Sequence, residues 1–153
     1  MPVPMPPPPP LIAQTHRTPE TTAWCGVGNP DYAFLGVQHR WADWGGLVSV
    51  GTLGLSHSLG GSFRYFIPVG WRGGYVEAGM TWLRLAGLSA HTPDEFFPLG
   101  YWNVGWQAHF ARWKVDVAVG PPPVHMMNTE TVPMSVLNAT ALPRLRVGVG
   151  YAF

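Results

Sequence analysis

The stretch RLRVGVGYAF, Arg144 to Phe153, decides how this chain is read. In a strand, successive side chains point to opposite faces. One face then carries Leu145, Val147, Val149, Tyr151 and Phe153. The other carries Arg144, Arg146, Gly148, Gly150 and Ala152. The first face suits an apolar medium. The second is small and cationic and suits a crowded, polar side. A soluble sheet also alternates, but its exposed face usually carries longer polar groups than glycine. The fold turns on whether the apolar face meets a protein core or lipid.

Composition narrows the choice. Charged residues are 11% of the 153, against about 25% in typical soluble domains. Aromatics are 13%, including eight Trp, so little charge is left to cover a soluble surface. A net charge of +1 argues against a nucleic-acid partner. Lys114 is the single lysine and the other basic residues are Arg, the side chain better suited to paired, partly enclosed sites. Cys25 is the single cysteine, so no intrachain disulfide and no multi-cysteine metal site can form. The longest mostly apolar stretch, Leu47 to Leu59, falls short of the roughly 20 residues a spanning helix needs. The opening MPVPMPPPPPLIAQTHR has neither a basic n-region nor a sustained apolar h-region and does not read as a secretory signal.

Residues 1–20 are Pro-rich and read as an extended or disordered arm. Residues 21–153 read as a β-barrel. Gly and Pro punctuate every window, and alternation dominates. The expected strands are 21–28, 32–41, 47–56, 62–71, 75–85, 100–110, 113–120 and 144–153, with ADWGG and HSLGG among the turns. No Gly or Pro separates the sixth from the seventh, but the apolar phase changes. It falls on Trp102, Val104, Trp106 and Phe110, then on Trp113, Val115, Val117 and Val119. A tight turn at Ala111–Arg112 resolves the conflict and gives eight strands. A bulge would leave seven.

With eight strands, the connections 42–46, 72–74 and 111–112 share one end with both termini. The long connections 86–98 and 121–142 share the other. Outer-membrane barrels sort their loops in this way. One side of the sheet collects Gln38, Arg40, Arg64, Glu77, Thr81, Asn103, Gln107, His109, Lys114, Asp116, Arg144 and Arg146. An ordinary core would not hold so many charges, whereas a barrel lumen lets them pair. The expected pairs are Arg64 with Glu77, and Asp116 with Arg144 or Arg146. Trp41, Trp44, Trp71, Trp113 and Phe153 fall near the short-turn end. Tyr32, Phe96, Phe97, Tyr101 and Trp102 fall near the other. Two aromatic girdles are the expectation.

LRVGVGYAF resembles the C-terminal β-signal of bacterial outer-membrane proteins, with Phe153, Tyr151, Val149 and Val147 in its pattern positions. RYFIPVGWRGGYVEAGMTWL, 64–83, resembles the central hairpin of small eight-stranded outer-membrane barrels. The resemblance covers about 32–153. It implies an eight-stranded antiparallel up-and-down transmembrane β-barrel in the bacterial outer membrane, inserted by the barrel-assembly machinery. Its partner is the lipid bilayer. The absent signal peptide departs from the family pattern and bears on localisation.

Several constellations offer chemistry. His57 between Ser56 and Ser58 invites comparison with barrel enzymes that modify lipids, though no acid to orient the histidine is identifiable. His91, Asp94 and Glu95 could face a metal, without ligand spacing to support it. No cofactor is implied. Met126, Met127 and Met134 in the second long connection could meet a protein partner or fold over the barrel mouth. The leading expectation is a structural, anchoring or adhesive barrel with a side-chain-filled lumen, displaying 86–98 and 121–142. The alternatives are a β-rich subunit of a larger, viral-type assembly, a lipid-modifying barrel enzyme and a soluble lipocalin-like carrier.

Overall fold

The computed structural model describes residues 18–29, 33–52, 56–68, 73–85, 96–126 and 140–153. Nine strands run in chain order: β1 (Glu20–Gly28), β2 (Ala33–Trp41), β3 (Trp44–Thr52), β4 (Ser56–Phe66), β5 (Gly74–Leu85), β6 (Phe96–Phe110), β7 (Trp113–Gly120), β8 (Val124–His125) and β9 (Arg144–Ala152). All pairings are antiparallel. Each long strand pairs with its neighbour in sequence, and β9 joins β7 to β1. Eight strands therefore close into a barrel. The short β8 stands apart and pairs only with the start of β6. No helix among the described residues is long and apolar enough to cross a membrane; that has no bearing on strands.

The register fixes the barrel's shape. One row of paired residues runs Glu20, Arg40, Gly45, Arg64, Glu77, Asn103. One position beyond the Val104–Val119 pair, the row reaches Gly120, which faces Arg144. Arg146 faces Gly28, eight residues after Glu20, so the row through Arg144 returns two positions further on, a shift of ten. For eight strands this corresponds to a tilt of about 40°. A nine-residue strand at about 3.3 Å per residue and that tilt spans roughly 23 Å along the barrel axis.

The eight-strand reading and the loop sorting hold, but several boundaries move. β1 starts at Glu20, so the barrel takes a residue assigned to the arm. The turn between β2 and β3 is only Ala42–Asp43, flanked by the Trp41–Trp44 pair. HSLGG is not a turn: β4 runs straight through it. Gly60 faces inward there, and a Cβ would lie 3.0 Å from Thr81 Oγ1 and 3.1 Å from Ser49 Oγ. The glycine marks close packing rather than a chain reversal. β4 ends at Phe66, not 71, although the Ile67 amide still donates to Gly74 O at 2.9 Å. β6 begins at Phe96, four residues early. The hairpin at Ala111–Arg112 is confirmed by the Phe110–Trp113 pair, which excludes a bulge there. Pro121, Pro122 and Pro123 cannot donate to a ladder, so pairing stops at Gly120 and resumes in β8. The second long connection thus contains a strand that the sequence did not announce.

Large and small residues alternate inside, as a narrow barrel requires. The Tyr75 ring lies across its cross-strand partner Gly105. The Trp24 ring covers Gly150, its partner on β9. Any side chain at either glycine would collide with those rings.

Candidate functional site

The strand alternation divides the described side chains into an enclosed set and an outward set. In β4, Phe63 is 68% exposed while Arg64 is 1% exposed. Arg40, Arg64, Glu77, Gln107, Lys114, Asp116, Arg144 and Arg146 are all buried inside, as expected. Gln38, Thr81 and Asn103 join them. His109 does not. It shares their phase but lies at the short-turn rim, where the barrel opens, and it is exposed. It borders a pocket there with Glu20, Arg40 and Gln107.

At mid-height two guanidiniums meet two carboxylates. Arg64 Nε donates to Glu77 Oε2 at 3.1 Å, and its Nη1 donates to Gln38 Oε1 at 2.7 Å and Asp116 Oδ1 at 3.4 Å. Arg146 Nη1 donates to Glu77 Oε1 at 3.0 Å, and its Nε to Asp116 Oδ2 at 3.3 Å. The Tyr75 hydroxyl donates to Asp116 Oδ1 at 2.7 Å and accepts from Arg146 Nη2 at 3.1 Å. Gln107 Nε2 donates to Gln38 Oε1 at 3.2 Å. The four charges sum to zero, so each enclosed ion is balanced by its neighbours. Such a cluster tolerates burial only while every partner is present. Of the expected pairs, Arg64–Glu77 and Asp116–Arg146 form. Arg144 instead lays its guanidinium 3.6 Å above the Tyr101 ring, a cation–π contact.

A second pair closes the short-turn side. Lys114 Nζ donates to Thr22 Oγ1 at 2.9 Å and to the Glu20 carboxylate. Above it, Arg40 stacks 3.7 Å from the Phe66 ring centre and donates to Ala42 O at 2.9 Å. Sequence reasoning missed Glu20 by assigning it to the arm. The signal was available: Glu20 keeps the phase of Thr22 and Trp24. At the long-loop end the interior turns apolar, with Leu83, Phe97 and Leu99 buried. The lumen is therefore less uniformly polar than the sequence suggested.

Outside, the middle of the barrel presents Val37, Val48, Phe63, Val117, Val147 and Val149 among other exposed apolar residues. Trp41, Trp44, Trp106, Trp113, Tyr151 and Phe153 form an outward belt at the short-turn end. Within it, Trp44 and Tyr65 ring centres lie 4.9 Å apart, and those of Trp113 and Tyr151 5.2 Å. At the other end Trp82 and Trp102 face outward. Phe97 and Tyr101, expected in that girdle, point inward instead, because they share the phase of Asn103. Tyr32, Trp71 and the Phe96 side chain lie outside the described residues.

The catalytic constellation is not assembled. His57 is exposed on the outer face and Ser58 is buried on the inner one, as adjacent strand residues must be. The Ser56 side chain is outside the described residues, but its position shares the phase of Ser58. His91, Asp94 and Glu95 are also outside the described residues, and no metal-holding group of His, Cys, Asp or Glu occurs among the described ones. No protein-family model, no curated protein and no solved structure matches the chain.

Proposed function

We propose that this chain is a membrane-spanning barrel of the bacterial outer-membrane type. Its role is structural: it anchors and displays the connections between β5 and β6 and between β7 and β9. The observation that carries this reading is the inversion of sides. Charged groups are enclosed, and a continuous apolar band faces out on every long strand. Soluble monomers rarely expose contiguous apolar patches beyond a few hundred Å². The axial span estimated from the strands is close to the roughly 25 Å apolar band of outer-membrane barrels. Val147, Val149, Tyr151 and Phe153 all face outward, which suits both contact with lipid and the insertion pattern they resemble. The neutral cluster around Arg64 and Asp116 fills the lumen at mid-height, so a wide aqueous passage is not part of the proposal.

Detergent dependence tests it. The refolded chain should be monodisperse in detergent micelles and should aggregate when detergent is withdrawn. A monodisperse monomer in plain buffer would refute the membrane reading. A regular particle formed without lipid would refute it in favour of a subunit whose neighbours cover the band.

A further inference from the structure

We propose that the short-turn end of the barrel is the docking face for an anionic phospholipid surface, a reading that rests on the membrane proposal and adds a partner to it. The charged side chains of the whole chain sort by height. At mid-height Arg64, Arg146, Glu77 and Asp116 sum to zero. The short-turn end holds Arg40 and Lys114, near the ends of β2 and β7, and Arg112 in the β6–β7 turn. Arg17 and Arg72 belong there as well. Each is one peptide bond from a residue, Thr18 or Gly73, that borders the barrel mouth beside His109. Their side chains lie outside the described residues, but the chain confines their position. Against these five cations stand two carboxylates, Glu20 and Asp43, which leaves +3 with histidine neutral. The amino- and carboxyl-termini add one charge of each sign and leave the sum unchanged. At the long-loop end Arg84 and Arg144 meet Asp31, Asp94, Glu95 and Glu130, a net −2. These acids fall in the connections β1–β2, β5–β6 and β8–β9, so chain order sets their height. Every Lys, Arg, Asp and Glu falls in one of the three groups, and the sums return the chain's +1.

A net charge at one end sets a potential that attracts the opposite sign, whatever pairs form within it. Lys114 with Glu20 is such a pair, and both are already in the sum. The location of Arg112 selects lipid over a soluble polyanion. Its Nη1 donates to the Tyr151 hydroxyl at 3.5 Å, and Tyr151 stands in the outward aromatic belt against Trp113. The guanidinium thus lies on the side wall of the barrel and not under the mouth. That is the level where aromatic belts meet lipid headgroups. An anionic leaflet attracts basic residues that come within a Debye length of it. At the opposite end the excess of carboxylates repels such a surface. The barrel therefore has a preferred direction in a membrane whose leaflets differ in charge, with the short-turn end towards the more anionic one.

The test uses the full chain refolded in octyl glucoside, a detergent without charge. Dioleoyl phosphatidylglycerol and dioleoyl phosphatidylcholine, identical in their tails, are added in separate samples. Lipid retained per barrel is counted by native mass spectrometry. The wild type should retain phosphatidylglycerol about tenfold over phosphatidylcholine, since each basic residue near an anionic lipid surface is worth roughly a fivefold preference before screening. Arg17→Gln, Arg72→Gln and Arg112→Gln together bring the end to zero and should bring the ratio close to one. Arg112→Gln alone should lower it about twofold. Arg112→Lys should leave it unchanged, because the charge and not the fork geometry is used. Arg84→Gln, at the other end, should not lower it. Resistance to unfolding in SDS verifies that the variants remain folded. Added sodium chloride should reduce the wild-type ratio, a measurement that needs no variant; a ratio indifferent to salt would overturn the proposal. A loss on Arg84→Gln equal to that on Arg112→Gln, or equal retention of the two lipids by the wild type, would overturn this inference alone. Equal retention together with capture of inorganic polyphosphate would hand the face to a soluble polyanion and overturn the lipid assignment. A barrel that stays monodisperse without detergent would overturn the membrane reading beneath it.

Discussion

Phe63 and Arg64 are neighbours in one strand and live in opposite environments. The phenyl ring faces out, and the guanidinium is enclosed among Glu77, Gln38 and Asp116. In a water-soluble protein the two would exchange places. On the membrane reading proposed above, the comparison teaches that the stability of this fold is divided between two solvents. The lumen depends on complete ionic pairing, whatever lies outside. The outer face depends on what lies outside, and little on pairing.

Substitutions on the two faces should therefore fail in different ways. The largest effect is expected in the lumen. Glu77→Ala leaves Arg64 and Arg146 enclosed with one carboxylate between them, at a cost of about 3–5 kcal/mol. Urea titration in micelles should show the midpoint falling accordingly, and the same loss should appear in any detergent or lipid. A change within experimental error would mean that the cluster is hydrated and does not hold the barrel together.

Next comes the outer face. Val147→Arg places a cation in the middle of the apolar band, at about 2–4 kcal/mol in a bilayer. Exposed to water, the same substitution should fall within about 0.5 kcal/mol of neutral. Unfolding titrations in vesicles resolve the two cases, and a neutral result would erase the difference between the faces.

The smallest effect belongs to neither face. Ala42 and Ala111 occupy the two-residue turns with φ of 53° and 56°, a region where a Cβ is strained. Ala111→Gly should stabilise the barrel by about 0.5–1 kcal/mol after the entropy of the unfolded glycine is set against the relief. Because the turn lies outside both environments, the gain should be the same in micelles and in vesicles. A loss of stability would show that the alanine methyl makes a contact worth more than the strain.

The sequence exposed the facing of side chains better than their height. A period of two is a local property, so phase and strand order alone paired Arg64 with Glu77 and narrowed Asp116 to Arg144 or Arg146; the structure selects Arg146. Height along the axis depends on the tilt, and the tilt follows from registers summed around the whole barrel. His109 shows the consequence: its phase is inward, yet the tilt brings it to the rim. Phe97 and Tyr101 show the reverse. A girdle was read from their aromatic character, but phase governs and turns them inward. Gly60 and Gly61 misled for another reason. Glycine marks turns and close packing alike, and only the Ser49 and Thr81 hydroxyls on the two flanking strands distinguish the two at Gly60. The Lys114–Glu20 pair was hidden because Glu20 adjoins a Pro-rich segment and was grouped with it.

The chain's single cysteine supplies the most direct test of which medium surrounds the barrel. Cys25 is exposed on the outer face of β1, opposite Leu35 on one side and Val149 on the other. It lies midway between the barrel's ends. A nitroxide attached there, in the wild-type chain reconstituted into vesicles, reports its collisions with dissolved oxygen and with a water-soluble nickel chelate. Oxygen concentrates in hydrocarbon and the chelate is excluded from it, so the account predicts high oxygen and low nickel accessibility. Nickel accessibility equal to or above that of oxygen would place this face in water and contradict the account.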